Sequence, residues 1–298
     1  MTQHITVLKD EAVASLNLTD DAVVVDATLG SAGHTQAILD VLGEKGTLIA
    51  LDADETAITS AQESLQHAAA QVEYVCTNFR TLDQVLKDLD VTEVDAVLAD
   101  LGWRMDQFTD GGKGFSFNSE DPLLMTYGDP DRYSFTAADI VNEWPEEDIK
   151  NVLKGYGEER FARRIASGIV AAREEAPIAT AKQLAEIVSA SAPAFYRNGK
   201  THPATKTFQA LRIAVNDELE ALEVFIEAAV RNLAPGGRLS IITFHSIEDR
   251  IVKHLFRQYK NEGRGTIATK KPIRASDTEL KQNPRARSAQ LRTFIKAA

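Results

Sequence analysis

The feature that most constrains the fold of this chain is a series of short apolar runs, several of them followed by a segment with helical spacing. The runs are continuous and rich in β-branched residues, which is typical of strands covered on both faces of a sheet. Because strand and helix alternate, we expect a parallel sheet with right-handed crossovers. The predicted strands are residues 22–27, 47–53, 72–77, 94–100 and 237–245, and the first three precede predicted helices near residues 34–42, 54–69 and 80–89.

A long interval without a comparable apolar run separates the fourth and fifth predicted strands. Its spacing is helical, and Thr136 and Thr180 are suited to cap the amino ends of two helices. A helix near residues 213–233 then leads through a Pro-Gly-Gly turn into the fifth strand. We therefore predict an α/β fold in which a mainly helical domain is inserted, with residues 1–104 and 211–298 in the first domain and residues 105–210 in the insertion.

Composition excludes several classes of protein. The chain has 298 residues and one cysteine, Cys76, so an internal disulfide is excluded, and its six histidines show no metal-ligand spacing. The amino-terminal residues do not have the pattern of a secretory signal, and no apolar run approaches the length of a membrane helix. We therefore expect a cytoplasmic protein with no metal site and no membrane partner.

The charge is distributed unevenly along the chain. The formal net charge is -11, yet residues 250–298 hold 13 Lys and Arg against three acidic residues, a local net charge of +10. The rest of the chain therefore carries -21. A basic segment on an acidic body indicates a local surface for an anionic partner such as nucleic acid, with a solubilising tail as the alternative.

The loop after the first predicted strand, DATLGSAGH, is placed to bind a ligand. In doubly wound sheets ligands bind beyond the carboxyl ends of the strands, and Gly30 and Gly33 allow a sharp turn close to a ligand. Asp52, at the end of the second strand, can accept hydrogen bonds from ribose hydroxyls. The loop lacks both the dinucleotide fingerprint and the P-loop pattern, which disfavours an NAD-linked oxidoreductase. The remaining ligand is a nucleoside cofactor without a pyrophosphate, such as S-adenosylmethionine. The alternative is that the loop is a purely structural turn.

Two further residues follow strands at the same predicted edge. Asp100 ends the fourth strand and can accept hydrogen bonds from an amine of a cofactor or a substrate. Phe79 follows the third strand and can lie against an adenine face. The alternatives are an acid that satisfies nearby loop amides and a ring that packs between helix and sheet.

Seven blocks of the chain resemble, in order, those of the bacterial small-subunit ribosomal RNA methyltransferase H family. The blocks are HITVLKDEAV, VDATLGSAGHT, YGEERFARRIA, HPATKTFQALRIAVNDELE, LAPGGRLSIITFHSIEDRIVK, TKKPI and NPRARSAQLR. This resemblance implies a class I methyltransferase (Rossmann-like) sheet with an inserted helical substrate-recognition domain. It also implies an S-adenosylmethionine-dependent enzyme that methylates N4 of one cytidine in 16S rRNA within the small ribosomal subunit. A homodimer is left open.

The resemblance also implies individual site residues. The implied contacts with S-adenosylmethionine are Ala32, Gly33, His34, Asp52, Phe79, Asp100 and Gln107. Asp100 is also the candidate catalytic residue, which orients the reacting amine and helps to remove its proton. The basic residues assigned to RNA are Lys206, Arg212, Lys270, Lys271, Arg285 and Arg287.

The chain departs from the family pattern at two places, and other functions are weighed because of them. Residues 103–106 read Trp-Arg-Met-Asp where the family has Val-Ser-Ser-Pro, and Leu124 and Thr126 replace an acid and an arginine. The main alternative is therefore a non-catalytic RNA-binding assembly factor that retains the fold. Trp103 and Phe108 are candidates to stack on the target base, and Asp106 is a second candidate acid. A Ser-His-Asp hydrolase in FHSIEDR is disfavoured because the nucleophile-elbow motif is missing.

Overall fold

The computed structural model describes residues 5–102 and 112–298. The chain forms two compact units, the first made of Met1–Gly102 with Leu219–Ala298 and the second of Trp103–Glu218. The boundary predicted at residue 211 falls inside a helix of the second unit, Thr205–Asn216. No helix of the described residues is long and apolar enough to cross a membrane.

The first unit is built on a mixed sheet with the strand order β3-β2-β1-β4-β5-β7-β6. The first five strands pair in parallel, and β7 runs antiparallel to both β5 and β6. The five predicted strands are confirmed, whereas β6 and β7 were not predicted. The strands are β1 Val23–Asp26, β2 Thr47–Asp52, β3 Gln71–Cys76, β4 Val94–Asp100, β5 Leu233–Thr243, β6 Gly265–Ile267 and β7 Gln290–Lys296.

Apolar clusters cover both faces of this sheet, which explains why its strands are continuously apolar. Val24 and Leu48 belong to one cluster, whereas Val25 and Ile49, their neighbours in sequence, belong to the other. The helices of this unit are α1 Lys9–Leu16, α2 Gly33–Leu39, α3 Glu55–Ser64, α4 Leu82–Asp88, α11 Glu218–Asn232, α12 Ser246–Asn261 and α13 Asp277–Gln282.

The second unit is helical and has an apolar cluster of its own. Thr136 and Thr180 cap two of its helices, each in a capping box, as predicted. Its helices are α5 Ala137–Glu143, α6 Glu146–Gly157, α7 Ala162–Glu175, α8 Ala181–Ser191, α9 Ala194–Arg197 and α10 Thr205–Asn216.

The helix predicted near residues 213–233 is confirmed, but it begins at Glu218. The segment divides into α10 and α11 at Asp217, whose φ of 49° places it in the left-handed region. Asn and Asp tolerate this conformation better than other residues do, so Asn216-Asp217 is a natural place for the break. The Pro-Gly-Gly segment is also not a separate turn. It forms part of β5, where the pairing with β4 shifts register between Val94 and Ala96.

Candidate active site

Three aspartates end three neighbouring strands at the carboxyl edge of the sheet. Asp26 is the last residue of β1, Asp52 of β2 and Asp100 of β4. β1 lies between β2 and β4, so the three residues end adjacent strands. The carboxyl edge of an open α/β sheet is where ligands bind, which makes this edge the candidate active site.

The loop after β1 is fastened to the end of β2. The amide of Leu29 donates to the carbonyl oxygen of Leu51 at 2.8 Å, and the amide of Gly30 donates to Asp52 Oδ2 at 2.8 Å. The amide of Asp54 donates to Asp52 Oδ1 at 2.9 Å. Gly30 has a φ of 54°, a conformation that suits glycine. The Asp52 carboxylate is therefore held in a defined position by two backbone donors.

Ala32 and Gly33 are set by backbone geometry and by the amino-terminal segment. Ala32 has a φ of 62° and is buried. A Cβ added at Gly33 would lie 1.8 Å from Oγ1 of Thr6, so a larger residue at this position would displace the amino-terminal segment. The need for glycine at position 33 thus comes from a residue 27 positions earlier in the chain. From the sequence alone, this need for glycine is attributed to the close approach of a ligand.

His34 connects the amino-terminal segment to Asp100. Its ring is 5% exposed, and Nε2 lies 3.0 Å from the carbonyl oxygen of Val7. Because a carbonyl only accepts hydrogen bonds, Nε2 carries a proton in this contact. The other ring nitrogen, Nδ1, lies 3.6 Å from Asp100 Oδ2. The His34 ring therefore lies against one side of the Asp100 carboxylate, at a distance too long for a hydrogen bond.

Backbone groups hold the other side of Asp100. The amide of Gly102 donates to Asp100 Oδ1 at 2.9 Å, and the amide of Asp100 itself donates to Thr28 Oγ1 at 2.6 Å. A Cβ at Gly102 would lie 2.8 Å from both Asp100 Oδ1 and a ring carbon of Phe244. Only glycine fits here without moving the carboxylate or the ring, so Gly102 helps to position Asp100.

Asp26 is a site residue that sequence reasoning missed. It is 1% exposed, and it accepts hydrogen bonds from Thr35 Oγ1 at 2.6 Å and from the amide of Thr28 at 3.2 Å. Burial raises the pKa of Asp26, and the hydrogen bond from Thr35 opposes that rise. The signal that could have identified it is the one that identified Asp52, an acid closing an apolar strand.

Phe79 is half-buried and packs against an apolar cluster of the sheet. It begins a short 3-10 helix after β3, and its ring meets Phe225 edge to face with centroids 5.1 Å apart. The predicted cofactor contact Gln107 lies outside the described residues, as do Trp103, Asp106 and Phe108. The described candidates at this edge are therefore the loop 30–34 with Asp52, Phe79 and Asp100.

The basic residues assigned to RNA are divided between the two units. Lys270, Lys271, Arg285 and Arg287 are exposed on the first unit, and Lys206 and Arg212 belong to the second.

Arg212 is a poor candidate for a phosphate contact. It is only 12% exposed, and its guanidinium forms two hydrogen bonds of 2.7 Å with the carboxylate of Glu218. Lys206 is only partly available for a phosphate contact, because its Nζ donates a hydrogen bond to the backbone oxygen of Glu158 at 2.9 Å.

The FHSIEDR segment has a structural role. His245 caps the amino end of α12 in a capping box with Glu248, and its Nδ1 accepts from the amide of Glu248 at 3.3 Å. Asp249 forms two hydrogen bonds with Arg292 of β7, at 2.6 and 3.0 Å. The histidine and the acid thus have different partners, and a hydrolase triad is excluded.

The strand order, with an antiparallel β7, and three acids at the carboxyl edge define a Rossmann-like class I methyltransferase. The model of the MraW methylase family matches residues 1–297, and the chain belongs to this family. A relative from Brevibacillus brevis is 43% identical over 98% of both chains, and one from Paenibacillus sp. is 45% identical over 99% of this chain and 100% of the relative. Both are called ribosomal RNA small subunit methyltransferase H.

One solved structure supports the fold assignment. A crystal structure from Clostridium thermocellum superimposes with a TM-score of 0.50 over 99% of both chains, at 11% sequence identity. At this identity the similarity concerns the fold alone.

Proposed function

We propose that this protein uses S-adenosylmethionine to methylate N4 of a cytidine in 16S rRNA of the small ribosomal subunit. The observation that carries the proposal is family membership over nearly the whole chain together with Asp52 and Asp100 ending strands at one edge of the sheet. Family and site agree on the class of reaction. The choice of cytidine and of the small subunit rests on the family resemblance and on the names of the relatives.

The residues at this edge fit S-adenosylmethionine. The Asp52 carboxylate is held by the amides of Gly30 and Asp54, and a carboxylate is a suitable acceptor for the two hydroxyls of a ribose. The loop 30–34 carries no pyrophosphate-binding pattern, in keeping with a nucleoside ligand. Ala32, Gly33, His34 and Phe79 would contribute to holding the cofactor at this edge. When bound, the cofactor supplies a methyl group activated by a sulfonium.

Asp100 is the proposed catalytic residue. The lone pair of the cytosine amine is delocalised into the ring, so the amine must be oriented and allowed to pyramidalise before it attacks. A carboxylate that accepts a hydrogen bond from the amine does both, and it can take up the proton that the product nitrogen loses. The amide of Gly102 holds the carboxylate in place. Alignment of the amine, the methyl group and the sulfur contributes several kcal/mol, about 7 or more in favourable cases.

The RNA must present an unstacked base to this edge, which is cheapest in a loop or at an end. The exposed cations of the first unit, Lys270, Lys271, Arg285 and Arg287, provide charge for the RNA backbone. Because Arg212 is paired with Glu218, we leave it out of the proposed RNA surface.

The test is methyl transfer from labelled S-adenosylmethionine to small ribosomal subunits that lack the modification, followed by nucleoside digestion. We expect labelled N4-methylcytidine, and we expect Asp100→Ala to abolish most of the turnover while cofactor binding is measured in parallel. Near-normal turnover of Asp100→Ala would remove Asp100 from the mechanism. Cofactor binding by the wild type without any transfer would instead favour the non-catalytic assembly factor.

A further inference from the structure

The second unit carries an exposed aromatic ring that the proposed site does not use. Phe195 lies in α9, a helix that begins directly after Pro193, and is 68% exposed. This is the largest exposed fraction among the large apolar side chains of the described residues. A single exposed apolar residue is common, and what distinguishes Phe195 is the set of residues that surround and support its ring.

Phe195 rests on a supported aromatic cluster. Its ring meets Phe161 with centroids 5.8 Å apart, and Phe161 also meets Tyr196 at 5.0 Å, both in edge-to-face geometry. Edge-to-face contacts fix the orientation of neighbouring rings. The position of Phe195 is therefore defined even though most of its surface is in solvent.

A buried carboxylate anchors this cluster. Glu159 is 2% exposed, and it accepts from the Tyr196 hydroxyl at 2.8 Å and from the amide of Phe161 at 2.8 Å. The two hydrogen bonds tie the start of α7 to α9. Burying a carboxylate is unfavourable unless it is hydrogen-bonded, and here its bonds hold the two segments that present Phe195.

Two arginines lie in the segments that form this aromatic cluster. The Arg160 guanidinium lies 5.5 Å from the centroid of the Phe161 ring, and Arg197 is the last residue of α9. Both arginines are exposed. Residues 193–206 contain three cations, Arg197, Lys200 and Lys206, and no acid, in a chain whose net charge is -11. The surface is therefore locally basic on an acidic protein.

We propose that the surface formed by Arg160, Phe195 and Arg197, called here the Phe195 surface, binds a single-stranded segment of RNA by stacking one base on Phe195. A nucleotide combines a flat apolar face with an anionic phosphate, which matches an exposed ring in a cluster whose segments also carry two exposed arginines. The inference rests on the proposed function in one respect only, namely that the natural ligand is the RNA substrate. The Phe195 surface would hold a nucleotide of that RNA other than the one that is methylated.

The experiment measures binding of a fluorescent oligocytidylate of about ten nucleotides to the full-length protein, the length being typical of such sites. Stacking of one base predicts that Phe195→Ala binds at least about 5-fold more weakly, whereas Phe195→Trp retains the wild-type affinity. Val224→Ala, at a side chain 45% exposed in α11, is the matched control and leaves binding unchanged.

Salt titrations separate stacking from charge. Phe195→Ala leaves the slope of log affinity against log salt unchanged, since no charge is removed. The double variant Arg160→Gln, Arg197→Gln lowers the slope by about 1.4, because each phosphate contact with a single strand contributes about 0.7. Wild-type affinity and slope in all these variants would overturn the inference.

Other outcomes are equally decisive. Displacement of the RNA by oligoglutamate at equal charge concentration, or loss of self-association in Phe195→Ala without any change in RNA binding, would assign the surface to a protein partner and overturn the inference. Methyl transfer is measured separately with wild-type protein and small subunits. If transfer fails while Phe195→Ala still weakens RNA binding, the inference stands and the proposed function falls.

Discussion

At the scale of single residues, the loop after β1 at the candidate active site contains a strained backbone position. Ala32 has a φ of 62°, and the left-handed region costs a residue with a Cβ about 1–2 kcal/mol. Ala32 is therefore a strained residue within this loop. It lies between Gly30, which binds Asp52, and His34, which contacts Asp100.

Ala32→Gly is therefore expected to raise the free energy of unfolding by about 0.5–1 kcal/mol, since relief of strain exceeds the added flexibility of the unfolded chain. The matched control is Ala37→Gly, in the middle of α2, where glycine lowers stability by about 1 kcal/mol. Urea unfolding measures both. Equal destabilisation by the two substitutions would show that Ala32 is not strained.

Asp52 is the residue whose role in cofactor binding is most directly testable. Loss of charged hydrogen bonds predicts that Asp52→Ala weakens S-adenosylmethionine binding by about 10-fold or more in calorimetry. Asp54→Ala is the control, because Asp54 caps α3 by accepting from the amide of Thr56 and has no assigned cofactor contact. Unchanged affinity in Asp52→Ala, or an equal loss in Asp54→Ala, would remove Asp52 from the ribose role.

The residues at the site differ in how far they could be predicted from sequence. Asp52 and Asp100 end their strands as predicted, because an acid that closes an apolar run is a local pattern. The contacts of His34 with Val7 and of Gly33 with Thr6 depend on chain segments far apart in sequence, and no local pattern indicates them. Arg212 was assigned to RNA from its charge alone, and its partner Glu218 is visible only in the fold.

At the scale of elements, the carboxyl-terminal strands were missed for a physical reason. β6 has only three residues, and β7 carries Arg292 in its centre, so neither has the apolar run of the first five strands. Arg292 is buried in β7 because Asp249 of α12 neutralises it. A segment that looks like part of a basic tail thus becomes the strand that joins β5 to β6.

Asp249→Ala is expected to lower the free energy of unfolding by about 3–5 kcal/mol, because it leaves the Arg292 charge buried without its partner. The double variant Asp249→Leu, Arg292→Met removes both charges and is expected to recover most of the loss. Chemical denaturation of both variants measures this. A double variant no more stable than Asp249→Ala would mean that packing, and not the unpaired charge, dominates.

The ion pair between Glu227 and Arg264 is more exposed than the pair between Asp249 and Arg292. It joins α11 to the segment before β6 by two hydrogen bonds of 2.9 Å, and its side chains are 44% and 31% exposed. Arg264 holds the pKa of Glu227 below its ordinary value of 4.5. An acid whose pKa is lowered by folding stabilises the fold at pH values above its unfolded pKa. This contribution is lost as the pH falls through the folded pKa.

Glu227→Gln is therefore expected to cost less than about 1 kcal/mol at neutral pH, and the difference from wild type is expected to vanish in acid below the folded pKa. Thermal unfolding from neutral to acid pH measures it. The control is Glu223→Gln in the same helix, because Glu223 forms no ion pair within the part of the chain that the structure describes. A cost that grows on acidification would have the wrong sign for this pair.

At the scale of the whole molecule, the charge is divided between an acidic body and a basic carboxyl-terminal segment. Residues 250–298 carry +10 and the remainder carries -21. Arg264 and Arg292 of this segment form ion pairs within the fold, whereas Lys270 and Lys271 are exposed. The charge asymmetry was visible in the sequence, but which cations remain exposed depends on the fold.

Binding of small-subunit rRNA is therefore expected to weaken as salt rises, and Lys270→Gln, Lys271→Gln is expected to lower the log–log slope by about 1.4 for single-stranded contacts. Lys45→Gln, Lys87→Gln removes the same charge from exposed positions that precede β2 and β4, at the amino edge of the sheet. If the net charge of the molecule governed binding, the two pairs would act equally. If the carboxyl-terminal segment is the RNA surface, only the first pair changes the slope, because phosphate contacts require local charge.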